Sequence, residues 1–116
     1  MAQITFDVQT YSVTLGPALG FDVLHIEYPA MIICWSDRKF RCQFRFANEN
    51  PLPDSRFDAA TGVADVFVSA AQYPWYLDIL RNERPVQCTI DTGTPKWSRL
   101  GTGQEPTGEG ELVVRP

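Results

Sequence analysis

The chain contains one histidine and three cysteines, the residue types on which acid–base, nucleophilic and metal chemistry often depends. His25 alternates with Val23 and Glu27, so His25 and Glu27 are expected on one face of a strand. Such a pair can transfer protons when it lines a pocket. We therefore take His25, Glu27 and Tyr28 as candidate residues of a pocket in the mouth of a curved sheet, where a small enzyme or a carrier of a small apolar ligand would bind its ligand.

The three cysteines predict neither a disulfide framework nor a metal site. Cys34, Cys42 and Cys88 are odd in number and have no C-x-x-C spacing. We expect buried, reduced thiols, which are typical of a cytoplasmic protein. No cofactor is predicted either, because the glycines between residues 101 and 110 are not followed by the G-K-[ST] of a phosphate-binding loop.

Asp91-Thr92-Gly93 follows an apolar segment and resembles the catalytic triplet of the aspartic proteases. The resemblance covers three residues. In that family the triplet lies early in the chain and is followed by a flap and a second apolar strand, whereas only residues 94–116 follow it here. We interpret the triplet as a strand that ends in an Asx turn. No catalytic residue is predicted, and the chain is not expected to be an enzyme.

Alternating apolar residues predict a mostly β (α+β) fold with about seven or eight short strands. One helix is expected near residues 73–82, with Pro74 in its first turn. The strands would form either a curved antiparallel sheet or a partly open β-barrel. We expect residues 1–116 to form a single globular domain, in which residues 92–109 are a long loop rich in Gly, Thr and Pro.

Several local features of the strands are also predicted. A bend near Gln9-Thr10 follows from a shift in apolar parity, and residues 16–20 are expected to form a turn. Pro29 is expected to end a strand, and residues 110–115 to form the last one. Residues 58–62 are expected to form a tight hairpin connection with Gly62 at the left-handed position. In the hairpin around residues 37–39, Trp35 is placed opposite Phe40, a register that would turn Cys34 away from Cys42.

The predicted helix has two apolar faces. Tyr73, Tyr76, Leu77 and Leu80 form an inward stripe, while Trp75 and Ile79 lie well away from it. The second face is covered either by residues 92–109, through Trp97 or Leu100, or by a second chain, since tryptophan is enriched at interface centres. The interface candidates are therefore Trp75, Ile79 and Trp97.

Composition and charge limit the partners. The formal net charge of -4 argues against nucleic acid, and the arginines around residues 38–45 alternate with aromatic residues expected on the opposite face. No apolar run is long enough to span a membrane. The patterns favour a soluble, cytoplasmic, non-enzymatic binding or interaction domain that forms a homodimer or binds another protein. The alternative is the enzyme or ligand-binding protein with the His25 pocket.

Overall fold

A computed structural model describes residues 3–21, 26–37 and 39–102, with the backbone alone for 17–21 and 26–28. The described chain forms eight strands and one α-helix, so the mostly β fold with one helix is confirmed. The strands are β1 (Gln3–Asp7), β2 (Thr10–Phe21), β3 (Ile26–Trp35), β4 (Arg41–Ala47), β5 (Arg56–Asp58), β6 (Val63–Ser69), β7 (Val86–Asp91) and β8 (Arg99–Thr102). The helix α1 is Tyr73–Asn82, and short 3₁₀ helices are formed by Ala70–Gln72 and Pro95–Trp97.

Two sheets enclose the core. One has three strands in the order β1-β7-β8, and the other has five strands in the order β2-β3-β4-β6-β5. Among the described strands the sheets do not close into a barrel, which leaves the curved-sheet alternative. The predicted bend near Gln9 is confirmed and carries the chain between sheets, because the Val8 amide donates to Val86 and the Gln9 amide donates to Trp35.

The five-stranded sheet is mixed rather than purely antiparallel. β4 and β6 run parallel, and β5 pairs antiparallel with the far side of β6. The tight connection from β5 to β6 ends at Gly62, whose φ of 74° lies in the left-handed region. A Cβ atom on Gly62 would lie 2.6 Å from the Lys39 carbonyl oxygen, so the predicted glycine turn is confirmed and also packs closely against the β3–β4 hairpin.

The β3–β4 hairpin is confirmed, but the predicted register is wrong by one residue. Cys34 pairs with Cys42 and Trp35 with Arg41. The cause lies in the turn, where the Ser36 hydroxyl accepts hydrogen bonds from the amides of Lys39 and Phe40, and the Ser36 amide donates to the Phe40 carbonyl. Because the side-chain period of a strand is two, this slip turns Met31, Ile33 and Trp35 to the outer face of the sheet.

Two further predictions about β2 and β3 are wrong. Residues 16–20 belong to β2, which passes through them with a shift in register between Leu15 and Leu19. β3 likewise continues through Pro29 instead of ending there. The strand predicted for residues 110–115 lies outside the described residues.

The helix α1 covers the core between the sheets. The ring of Tyr76 meets Phe44 and Phe46 with centroids 5.0 and 5.2 Å apart, and Tyr73 meets Phe46 at 5.3 Å. All three contacts are edge-to-face, a geometry worth about 1 kcal/mol each beyond the buried area. Ile79 and Leu80 also pack on the core, whereas Leu77 is only half-buried. The inward stripe therefore includes Ile79, which had been placed on the second face.

Candidate functional site: an open sheet edge

The pocket predicted around His25 lies largely outside the described part of the chain. His25 itself is not described, and for Glu27 and Tyr28 only the backbone is, paired with Gly20 and Leu19. The ligand-binding alternative therefore stays a prediction.

The triplet at residues 91–93 is a structural turn. The buried Asp91 carboxylate accepts hydrogen bonds from the amides of Gly93 (3.1 Å) and Thr94 (2.8 Å) through a single oxygen, Oδ1. The Asp91 amide in turn donates to the Ser98 hydroxyl at 3.0 Å. This is the Asx turn that the sequence predicts, and it fixes the start of the segment leading to β8.

The three cysteines converge in the core. Cys34 and Cys42 are direct partners on the inner face of the five-stranded sheet, and Cys88 of β7 belongs to the same buried cluster. All three thiols are free and buried. Burial, and secondarily the neighbouring thiols, raises the pKa of both Cys34 and Cys42. Because a protonated thiol is a poor nucleophile, these residues act as core packing.

These thiols do not assemble into a metal centre. Within residues 3–21, 26–37 and 39–102, no group of three His, Cys, Asp or Glu side chains is arranged to hold a metal ion. Cys34 and Cys42 face the same side of the sheet, so the prediction that their side chains point apart is wrong.

The three interface candidates, Trp75, Ile79 and Trp97, do not form one surface in the structure. Trp75 is 72% exposed, so none of the described residues covers it to a large extent. Ile79, in contrast, packs against the core. Trp97 is 57% exposed and lines a groove of about 540 Å³ together with Leu52, Pro53 and Phe67, a groove that does not include Trp75. The three predicted interface residues thus have three different environments.

A stripe that the sequence analysis missed lies on β2, at one edge of the five-stranded sheet. Tyr11, Val13 and Leu15 pair with Cys34, Ile32 and Ala30 and so face the core side of the sheet. Their partners are buried, yet Leu15 is 65% exposed, Tyr11 37% and Val13 36%. We call these three side chains the β2 stripe. They lie beyond the area that the described residues of the second layer cover.

The absence of charge in this region is the signal that could have revealed the stripe. No residue from 8 to 21 is charged, and β2 is the longest described strand. Each of the other described edge strands carries at least one charge: Asp7 in β1, Arg56 and Asp58 in β5, and Arg99 in β8. Charged residues and short length are the usual means by which edges avoid pairing with other chains.

A groove of about 490 Å³ adjoins the stripe at Tyr11. Its apolar walls come from both layers and comprise Val8, Tyr11, Leu80, Pro85 and Val86. The groove also includes Asp7, Glu83 and Arg84, so it extends the apolar surface of the β2 edge only in part.

No helix in the described ranges is long and apolar enough to cross a membrane. Comparison of the chain with protein-family models, with curated proteins and with solved structures finds no match. The geometry of the β2 edge therefore carries the functional argument by itself.

Proposed function

We propose that this chain is a non-enzymatic interaction domain that self-associates through the β2 edge. The observation that supports the proposal most directly is the exposed, uncharged β2 stripe on an edge strand. An edge strand presents unpaired backbone N–H and C=O groups, and a second strand can add to them while burying alternate side chains.

A second copy of the same strand is a suitable partner because the β2 stripe is self-complementary. Antiparallel pairing about a two-fold axis at Val13 would place Val13 against itself, and Tyr11 against Leu15 of the second copy. On the other face, Ser12 would meet Thr14, a pairing of β-forming hydroxyl residues. Two-fold dimers of this kind are the commonest homo-oligomers.

Charge also favours two copies meeting here. Each chain has a formal net charge of -4, so most pairs of surfaces would repel each other weakly. The β2 strand has no acidic or basic residue, and no like charges would face each other at the centre of the contact. The free, buried thiols fit a cytoplasmic location, where such cysteines stay reduced.

The test is the mass of the native protein as a function of concentration, measured by light scattering and native mass spectrometry. We expect a dimer for the wild type and a folded monomer for Val13→Lys, because a charge directly at the two-fold axis would face its own copy. Leu52→Lys is a matched control, since Leu52 and Val13 are both 36% exposed; it should remain dimeric. A wild-type protein that is monomeric at about 100 μM, well above the micromolar affinity of weak specific complexes, would falsify the proposal.

A further inference from the structure

Arg41 is an unpaired cation on the outer face of the five-stranded sheet, the face opposite the core. It pairs in register with Trp35 on one side and Val63 on the other. Its Nε atom is buried and has no hydrogen-bond partner among the described residues. Buried polar groups in proteins almost always have a partner, so the acceptor for this atom lies outside the described residues.

The neighbouring acid that might have paired with Arg41 is already engaged. Asp65 accepts hydrogen bonds from Arg45 through Nε (3.1 Å) and Nη2 (2.8 Å), and from the side-chain Nε2 of Gln43 at 3.0 Å, all at Oδ1. This fork fixes Asp65 toward Arg45. The Arg41 guanidinium therefore has no protein carboxylate bonded to it in the described chain.

Two grooves meet at Arg41. The larger, of about 610 Å³, is polar and includes Arg56, Asp58 and Asp65. The smaller, of about 330 Å³, includes Trp35 and Val63 beside Arg41. The smaller groove also includes Asp37 and Lys39, so its wall beside Arg41 combines the Trp35 ring with charged side chains.

The charged side chains around the two grooves indicate the charge of the ligand. Among the described residues these are four positive ones, Arg41, Arg45, Arg56 and Lys39, and three negative ones, Asp37, Asp58 and Asp65. The excess of one positive charge matches a monoanion, while a dianion would meet three nearby carboxylates. A guanidinium binds the planar carboxylate in a bidentate manner.

We propose that this outer face binds a monocarboxylate with an apolar or aromatic body. The carboxylate pairs with the Arg41 guanidinium, and the body lies against the neighbouring Trp35. The site is separate from the β2 stripe, which faces the core side of the sheet, so it adds to the proposed self-association and does not depend on it.

The first experiment titrates the wild-type protein with benzoate at constant ionic strength and follows the arginine Nε–Hε and tryptophan indole signals by NMR. We expect saturable shifts confined to Arg41 and Trp35. Acetate should bind about tenfold more weakly because it lacks the ring, and benzyl alcohol should bind at least tenfold more weakly because it lacks the charge. Equal binding of benzyl alcohol, tighter binding of phosphate, or no saturable shift would each overturn the assignment.

Variants then locate the site. Arg41→Gln should weaken benzoate binding at least about tenfold, and Arg41→Lys should retain part of it, since lysine keeps the charge but loses the fork. The matched control, Arg81→Gln, changes an exposed arginine on α1 and should leave binding unaltered. Full binding by a folded Arg41→Gln protein contradicts the proposal. The wild-type titration decides the matter even if a variant does not fold.

N-acetylphenylalanine distinguishes two sources of the carboxylate. Tighter binding than benzoate would support the site and identify a peptide C-terminus as its ligand. Weaker but still Arg41-dependent binding would support the site and identify a small organic acid.

Discussion

The two edges of the five-stranded sheet are built in opposite ways. β5 has three residues, two of them charged, and its only apolar side chain, Phe57, packs against the core. β2 has twelve residues and no charge, and its stripe remains exposed. Both are edges of one sheet with one core beneath it, so the difference does not come from the fold class.

This difference indicates which edge is available to another chain. A short strand with charges at both ends offers a partner few backbone groups and an unfavourable surface to bury. A long uncharged strand offers a ladder of backbone groups, here regular from Thr10 to Leu15, and a face of alternating apolar side chains to cover. Among the described strands, the five-stranded sheet therefore has one short, charged edge and one long, uncharged edge.

The largest expected effect concerns the centre of the sheet, to which both edges are attached. Cys34 and Cys42 have raised pKa values in the folded protein, whereas in the unfolded chain they ionise near the ordinary value of 9.0. As the pH rises past 9, the unfolded chain releases thiol protons that the folded protein retains. The free energy of unfolding is therefore constant with respect to these groups below about pH 8 and decreases above pH 9. At about pH 10, ionisation of these two thiols in the unfolded chain should lower the free energy of unfolding by about 3 kcal/mol.

Urea unfolding under reducing conditions, at neutral and alkaline pH, measures this loss. Because both edges depend on one core, fluorescence and circular dichroism should report a single transition. Cys34→Ala should show a shallower alkaline decline than the wild type. Separate transitions for the two probes would show that the two edges do not unfold together with one core. A free energy of unfolding that stays unchanged up to about pH 10 would show that the pKa values of the buried thiols are not raised by folding.

A smaller effect distinguishes the edges themselves. Phe57→Ala should lower the free energy of unfolding by about 2 kcal/mol, less than for a fully buried phenylalanine because Phe57 is only half-buried. Leu15→Ala should change it by less than about 0.5 kcal/mol, since Leu15 is mostly exposed in the single chain. Both changes are made in the Val13→Lys background, so that dimer formation does not contribute. Similar losses at the two sites would abolish the contrast between the two edges.

Local chemistry explains which parts of the fold could be predicted from the sequence. The helix Tyr73–Asn82 starts next to Pro74, and the β5–β6 turn contains Gly62 at its left-handed position. Both signals act within a few residues. The Asx turn at Asp91 is of the same kind, since its two hydrogen bonds reach only to residues 93 and 94.

The errors arose where distant or side-chain interactions decide the outcome. The Ser36 hydroxyl shifts the hairpin register by one residue, and this shift reverses the faces of Cys34 and Trp35. Pro17 and Pro29 each suggested a break, yet pairing between β2 and β3 carries both strands through. The exposure of the β2 stripe depends on how far the second layer extends, which no short segment specifies.

The smallest expected effect tests the helix as a competing interface. Trp75 is the most exposed of the large apolar side chains in the described chain, whereas Ile79, which was predicted to share its face, packs against the core. If the β2 edge alone mediates association, Trp75→Ala should leave the dimer dissociation constant within about twofold of the wild type. It should also change the free energy of unfolding by less than about 0.5 kcal/mol. Sedimentation equilibrium of the two single variants, Trp75→Ala and Val13→Lys, measures both dimer dissociation constants under the same conditions. A monomeric Trp75→Ala protein and a dimeric Val13→Lys protein would move the interface to α1, and the absence of charge on β2 would then need another explanation.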